Sequence, residues 1–281
     1  MSASVLPYPF ELGFMQRALI GGLIVGIFAP MIGTYLVQRR LSLIGDGIGH
    51  VAFAGVGLGL LFSIGPLWSA LLLAVGGALA IEWLRSRRRA SGDLALALLF
   101  YSGIALGVIF ASLAGGMNGD LLKYLFGQPL TVDRDEIVVI ARLGIVVAVI
   151  MWALRRPLFA VVTDEEWSRV AGLPVGLLNA LLASVTAFTV VAAMRIVGIL
   201  LIAALMVLPV ASAQLLARSF RGTLTWATGI GALAVVTGLA VARIWDLAPS
   251  GAIVLVAAGT FGIVSIAKRA APRALRLEEH Q

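Results

Sequence analysis

Residues 47–81 read GIGHVAFAGVGLGLLFSIGPLWSALLLAVGGALAI, without one Lys, Arg, Asp or Glu. A bilayer-spanning helix needs roughly 20 apolar residues. The run is too long for one span, and Gly65-Pro66 breaks it into two. Runs 18–38, 94–119, 170–194, 196–217, 222–242 and 247–267 are equally free of charge, and 137–154 is interrupted only by Arg142. The pattern predicts an all-α integral membrane protein with about nine (eight to nine) transmembrane helices. They fall at 14–38, 41–62, 66–84, 93–114, 136–154, 176–193, 196–217, 222–244 and 249–267.

Composition agrees. The chain has 281 residues, 60% hydrophobic and 12% charged. A soluble domain carries about 25% charged residues, so a soluble enzyme is excluded, as is a nucleic-acid-binding protein. The net charge of +7 reflects basic loops on one side of a membrane. The basic clusters Arg39-Arg40, Arg85 with Arg87, Arg88 and Arg89, Arg155-Arg156 with Arg169, Arg218 with Arg221, and Lys268 with Arg269, Arg273 and Arg276 follow the first, third, fifth, seventh and ninth helices. Alternating helices put all of them on one face. The N-terminus is therefore expected outside and the C-terminus in the cytoplasm, with no cleavable signal peptide. Residues 1–281 are expected to form one membrane domain, with helices over 14–267, a cytoplasmic segment at 157–175 and a cytoplasmic tail at 268–281. There is no Cys, which removes thiolate chemistry. There is no Walker A motif, so any ATP-driven movement draws its energy from another chain.

Ionisable residues inside a membrane need a reason. Ser42, Asp46 and His50 recur at four-residue intervals on the second predicted helix, which places Asp46 and His50 one turn apart on one face. Carboxylate plus imidazole suits a divalent metal. An Asp–His hydrogen bond that merely settles two polar groups is the competing reading. The same helix carries Gly45 and Gly49, and Gly55 and Gly59, at the spacing that permits close helix approach. One chain supplies few ligands; a two-fold homodimer with this helix at its axis would double them.

The second informative stretch is Thr163-Asp164-Glu165-Glu166-Trp167-Ser168-Arg169-Val170-Ala171-Gly172-Leu173-Pro174. Thr163 or Asp164 can cap a helix, with Glu165 and Glu166 in its first turn and Gly172 and Pro174 ending it. It reads either as a plain connection or as a docking knob for a cytoplasmic partner.

Residues 14–268 resemble the membrane permease subunits of ABC importers for zinc, manganese or iron. Residues 38–50, QRRLSLIGDGIGH, are similar to that family's RR-x-S-x-x-G-D-x-x-x-H segment. Lys123-Tyr124-Leu125-Phe126-Gly127 is similar to its YLFG turn on the outer side. Arg195-Ile196-Val197-Gly198 and Leu208-Pro209-Val210-Ala211 match its basic-x-x-G and apolar-P-x-x-A pattern. Glu166 and Gly172 fit its acidic-x-Ala-x-x-x-Gly coupling segment, with Ser168 in place of the alanine.

The resemblance implies a type II ABC importer permease-like bundle in a bacterial cytoplasmic membrane, and a transport subunit rather than an enzyme. It implies Asp46 and His50 as metal-pathway ligands, with Ser42, Gly45 and Gly49 packing along the pathway. Asp164, Glu165, Glu166, Trp167, Ser168 and Gly172 become the contact for the ATPase. Expected partners are a second copy of the chain, cytoplasmic ABC ATPase subunits, an extracytoplasmic metal-binding protein and membrane lipid. No cofactor is held permanently; a divalent ion, Zn2+ ahead of Mn2+ or iron, is the transported substrate.

A secondary metal-ion carrier would also place Asp and His in the membrane, but would need no docking helix. A chelate importer would need no inward Asp/His pair. An intramembrane hydrolase lacks a nucleophile in a G-x-S-x-G elbow. Of the other charges, Glu82 is expected beside Arg85, Asp93 with Ser91 as a cap, and Arg243 with Asp246 or water. Arg142 and Arg195 are expected to snorkel. The YLFG turn with Asp120, Asp133, Asp135 and Glu136 reads as exposed on the outer side, either as a contact for the substrate-binding protein or as a solvated loop. Trp68, Trp226 and Trp245 read as interfacial anchors.

Overall fold

The computed structural model describes residues 8–86, 92–116, 119–127 and 134–278. Arg87, Arg88, Arg89, Ser91, Asp133 and His280 lie outside these, as do the side chains of Asp93, Asp120, Asp135, Glu136 and Arg195. Apolar helices dominate because a backbone in lipid must satisfy its own hydrogen bonds. The long helices are α1 (Gly13–Gln38), α2 (Ile44–Leu61), α3 (Pro66–Ser86) and α4 (Gly92–Leu113). A short α5 (Gly119–Phe126) precedes α6 (Arg134–Ala153), and α7 (Arg155–Thr163) and α8 (Glu165–Val170) follow it. The chain closes with α9 (Val175–Val197), α10 (Ile199–Leu216), α11 (Phe220–Ile244) and α12 (Pro249–Glu278).

Each of the nine predicted helices has a counterpart. Among the described residues, 7 are long and apolar enough to cross a membrane, or up to 8 if a bent pair counts as one span. The bent pair is α6 with α7, which turn through 68°. Helix α10 is apolar but shorter over its described part. It abuts α9 at Gly198 without a loop: φ is +81°, and a Cβ there would meet Phe126, Gly127 and Leu125 of the α5 end. Only glycine serves both demands.

Three sequence expectations change. Helix α2 begins at Ile44, so Ser42 lies in the turn before it. That turn is a Schellman motif. Arg40 adopts φ +58°, Leu41 N–H donates to Leu36 C=O at 2.9 Å, and Arg40 N–H to Val37 C=O at 3.0 Å. The YLFG segment is no solvated loop: it closes α5, where Leu121 is fully buried and Tyr124 and Leu125 pack on the core. The helix ending the chain continues to Glu278, through a tail of helix-favouring Ala, Leu and Arg.

The interior is built by α1, α2, α9 and α10, whereas α12 lies at the rim: 67% of the α2 span is buried against 17% of α12. One bundle end gathers the basic loops. The rings of Tyr35 and Phe159 each lie 4.9 Å from that of Phe220. Arg155, Arg156 and Arg221 line one cavity of about 340 Å³ beside Tyr35. Trp68, Trp226 and Trp245 are exposed, as anchors require.

Candidate functional site

Asp46 and His50 sit in the first two turns of α2 and point the same way. His50 Nε2 lies 3.6 Å from Asp46 Oδ1. That is too long for a hydrogen bond, which for nitrogen and oxygen falls at about 2.7–3.2 Å. Two donors on one ion, each about 2.0–2.2 Å from it, sit about 3.0–3.4 Å apart, so the pair is spaced to share a cation after a small adjustment. Neither side chain is sealed: Asp46 is 27% and His50 14% exposed. Among the described residues no cluster of three His, Cys, Asp or Glu could hold a metal. The described residues therefore offer two candidate ligands here and no closed cage.

The glycines of α2 shape the walls. Gly45 faces Met206 and Gly49 faces Ile199, both on α10. Gly55 and Gly59 face Ala70 and Pro66 on α3. On the other flank α4 closes against the site through its own glycine. A Cβ on Gly103 would lie 2.9 Å from Val51 N and 3.0 Å from His50 C. This contact brings Phe100 edge-on to the imidazole, with ring centroids 4.7 Å apart at 76°. The ring packs against the imidazole and restricts its rotation. Gly103 and Phe100 escaped the sequence reading; the Gly103–Gly107 spacing on α4, matching the glycines of α2, was the available signal.

The second candidate, α8, is built by local rules. Asp164 caps it, accepting from Trp167 N–H at 2.8 Å. Thr163 does not, because its hydroxyl donates to Phe159 C=O within α7. Glu165 and Glu166 occupy the first turn, where acidic groups complement the helix dipole. The far end is again a Schellman motif: Leu173 N–H donates to Ser168 C=O at 3.0 Å and Gly172 N–H to Arg169 C=O at 3.2 Å, with φ +80° at Gly172. Ser168 is fully buried and donates to Asp164 C=O at 2.7 Å, so a small residue is required there. Trp167 is 64% exposed and Val170 more so.

Sequence reading missed α7, although Pro157 suits a first helical turn and Leu158, Val161 and Val162 repeat with helical spacing and are buried. It also missed the link between the two candidates. Arg39, at the end of α1, bonds Glu165 Oε2 at 3.1 Å, and Arg169 bonds Glu165 Oε1 at the same distance. The Arg39 side chain is only 6% exposed. Burial pushes its guanidinium below the usual value, and Glu82 and Glu165 pull it back while Arg85 opposes them. Glu82 pairs with Arg85 at 2.9 Å, as expected. Arg243 and Asp246 line a small pocket together, and Arg142 is exposed. The cavity of about 190 Å³ between α1, α6 and α9 is lined by apolar side chains apart from Thr189, whose hydroxyl donates to Val185 C=O at 2.9 Å, and by no charged or imidazole group.

Residues 11–268 match the model of the ABC 3 transport family. The chain belongs to that family. It is 31% identical over 250 residues to the manganese transport system membrane protein MntC of Halalkalibacterium halodurans, covering 89% of this chain and 86% of the relative. It is 28% identical over 260 residues to the high-affinity zinc uptake system membrane protein ZnuB of Haemophilus influenzae, covering 92% and 98%. The fold matches a chain of the structure titled PsaBC from Streptococcus pneumoniae in complex with Fab, with TM-score 0.80, 30% identity and coverage of 90% and 91%. As an ABC 3 member the chain is a multi-pass transport subunit, and its chemistry is passage rather than catalysis.

Proposed function

We propose that this chain is the permease subunit of an ATP-driven importer of divalent metal ions, working as a homodimer in the cytoplasmic membrane. The N-terminus lies outside and the C-terminus inside, so the bundle end that carries Arg39, Arg155 and α8 faces the cytoplasm. Asp46 and His50 hold the ion in transit. The observation that carries this reading is the placement of Asp46 and His50 one turn apart on one face of α2, both part-exposed and 3.6 Å apart, so that an oxygen and a nitrogen donor need only a small adjustment to share a cation.

A metal-binding protein outside delivers the ion to the mouth between two copies. Each copy offers one carboxylate and one imidazole, and two copies together approach a four-ligand set. A site with few ligands, open to solvent, binds weakly enough to release its cargo. Within segment 157–175, α8 presents Trp167 and Glu166 to a cytoplasmic ATPase, whose closure drives alternating access. Carboxylate and imidazole accept Mn2+ and Zn2+ alike, and relatives carry either metal in their names. The zinc preference read from the sequence gives way to the pair.

The test is uptake of radioactive zinc and manganese, supplied separately, by cells carrying the chain with its ATPase and metal-binding protein. Asp46→Ala and His50→Ala should each abolish uptake while ATPase assembly persists. Normal uptake in both variants would remove these residues from the path.

A further inference from the structure

The two candidate sites are joined by one short mechanical route. Glu165 lies in the first turn of α8, and its carboxylate grips Arg39. Arg39 is the C-cap of α1 and opens the five-residue turn 39–43. That turn is stiff. Two Schellman hydrogen bonds close it, Leu41 is buried, and Arg40 holds a left-handed conformation that a side chain resists. Helix α2 starts directly after it, and Asp46 sits in the first turn of α2. A displacement of α8 therefore reaches Asp46 through one ion pair and one rigid turn. The pair resists separation, because drawing Glu165 away would break the hydrogen bond of the buried Arg39 and leave only Glu82 to offset its charge.

We infer that Arg39 and Glu165 form a strut that transmits movement of the docked ATPase from α8 to the first turn of α2, setting the position of Asp46 relative to the pathway. Both are positioning residues: neither touches the ion. The inference rests on the reading of α8 as ATPase contact and of Asp46 and His50 as ion ligands.

The full importer, reconstituted in vesicles with its ATPase and metal-binding protein, tests it by the number of zinc or manganese ions taken up per ATP hydrolysed. Wild-type uptake establishes the underlying reading; wild type that hydrolyses ATP and moves neither metal overturns that reading and the strut with it. Where wild type transports, Arg39→Ala should keep the ATPase bound and hydrolysing, and Arg39→Ala and Glu165→Ala should each lower ions per ATP hydrolysed by roughly ten-fold. The double variant should be no worse than either single one, since both remove one interaction. The chain has no cysteine, so Arg39→Cys with Glu165→Cys can be bridged by a short bis-alkylating reagent, each thiolate displacing one halide to form a thioether. Bridging should restore ions per ATP in that pair without restoring any charge. Unchanged ions per ATP in Arg39→Ala overturns the strut. So does loss of ATPase binding in Arg39→Ala, because the pair would then shape the docking surface instead, and so does a bridge that restores nothing.

Discussion

Helices α1 and α8 end in the same hydrogen-bonded motif, filled by different residues. At the end of α8 the left-handed position is Gly172; at the end of α1 it is Arg40. The glycine ends a helix cheaply, at a segment whose outer face is exposed. The arginine accepts strain at the turn that leads into Asp46. The contrast extends to the surroundings. A Cβ on Gly172 would meet nothing, whereas one on Gly103, beside His50, would press on the backbone of α2. The surroundings of Asp46 and His50 are held by long-range steric fit. Helix α8 is held by its own caps and by one long-range ion pair, Arg39 with Glu165.

Substitutions can break this contrast, beginning with the largest effect. Gly103→Val should destabilise the bundle by about 3 kcal/mol through overpacking, read as a lowered unfolding midpoint in detergent. An unchanged midpoint would mean that α4 is free to back away from His50. Gly172→Ala, with room for its methyl but the wrong φ, should cost about 1–2 kcal/mol and leave the α2–α4 contact intact. Asp164→Ala removes the cap of α8 and should cost about 1 kcal/mol, felt mainly as faster amide exchange at Trp167. Arg40→Gly relieves the strain at the α1 end and should stabilise by about 1 kcal/mol. A loss of stability there would show that the Arg40 side chain does more than occupy the turn. Trp167→Ala should shift unfolding least, within about 0.5 kcal/mol, because the ring is exposed.

The same contrast explains what the sequence could disclose. The long helices are legible because their signal is hydropathy summed over a span. The α8 cap and the Gly172 stop are legible because capping acts within a few residues. Helices α5 and α7 are not, since eight and nine residues fall below span length and read as loops. Ser42 is misplaced because the buried Leu41 folds back on α1 before α2 begins. The glycine pairs of α2 announce close approach, but not that α10 takes one pair and α3 the other. Arg39 and Glu165 lie 126 residues apart, and nothing local marks which arginine of the pair turns inward.

In the proposal, ion passage at Asp46 and His50 and ATPase contact at α8 are separable jobs, and both can be measured on the same preparations. Metal uptake and ATPase co-purification are compared for wild type, Asp46→Ala with His50→Ala, and Trp167→Ala. The expected result is a crossed pattern. The Asp46/His50 variant keeps its ATPase and loses uptake, while Trp167→Ala loses much of its ATPase, in the manner of a buried aromatic anchor worth about 2 kcal/mol or more, and loses uptake with it. An Asp46/His50 variant that transports normally, or a Trp167→Ala chain that keeps its ATPase at wild-type affinity, would contradict it.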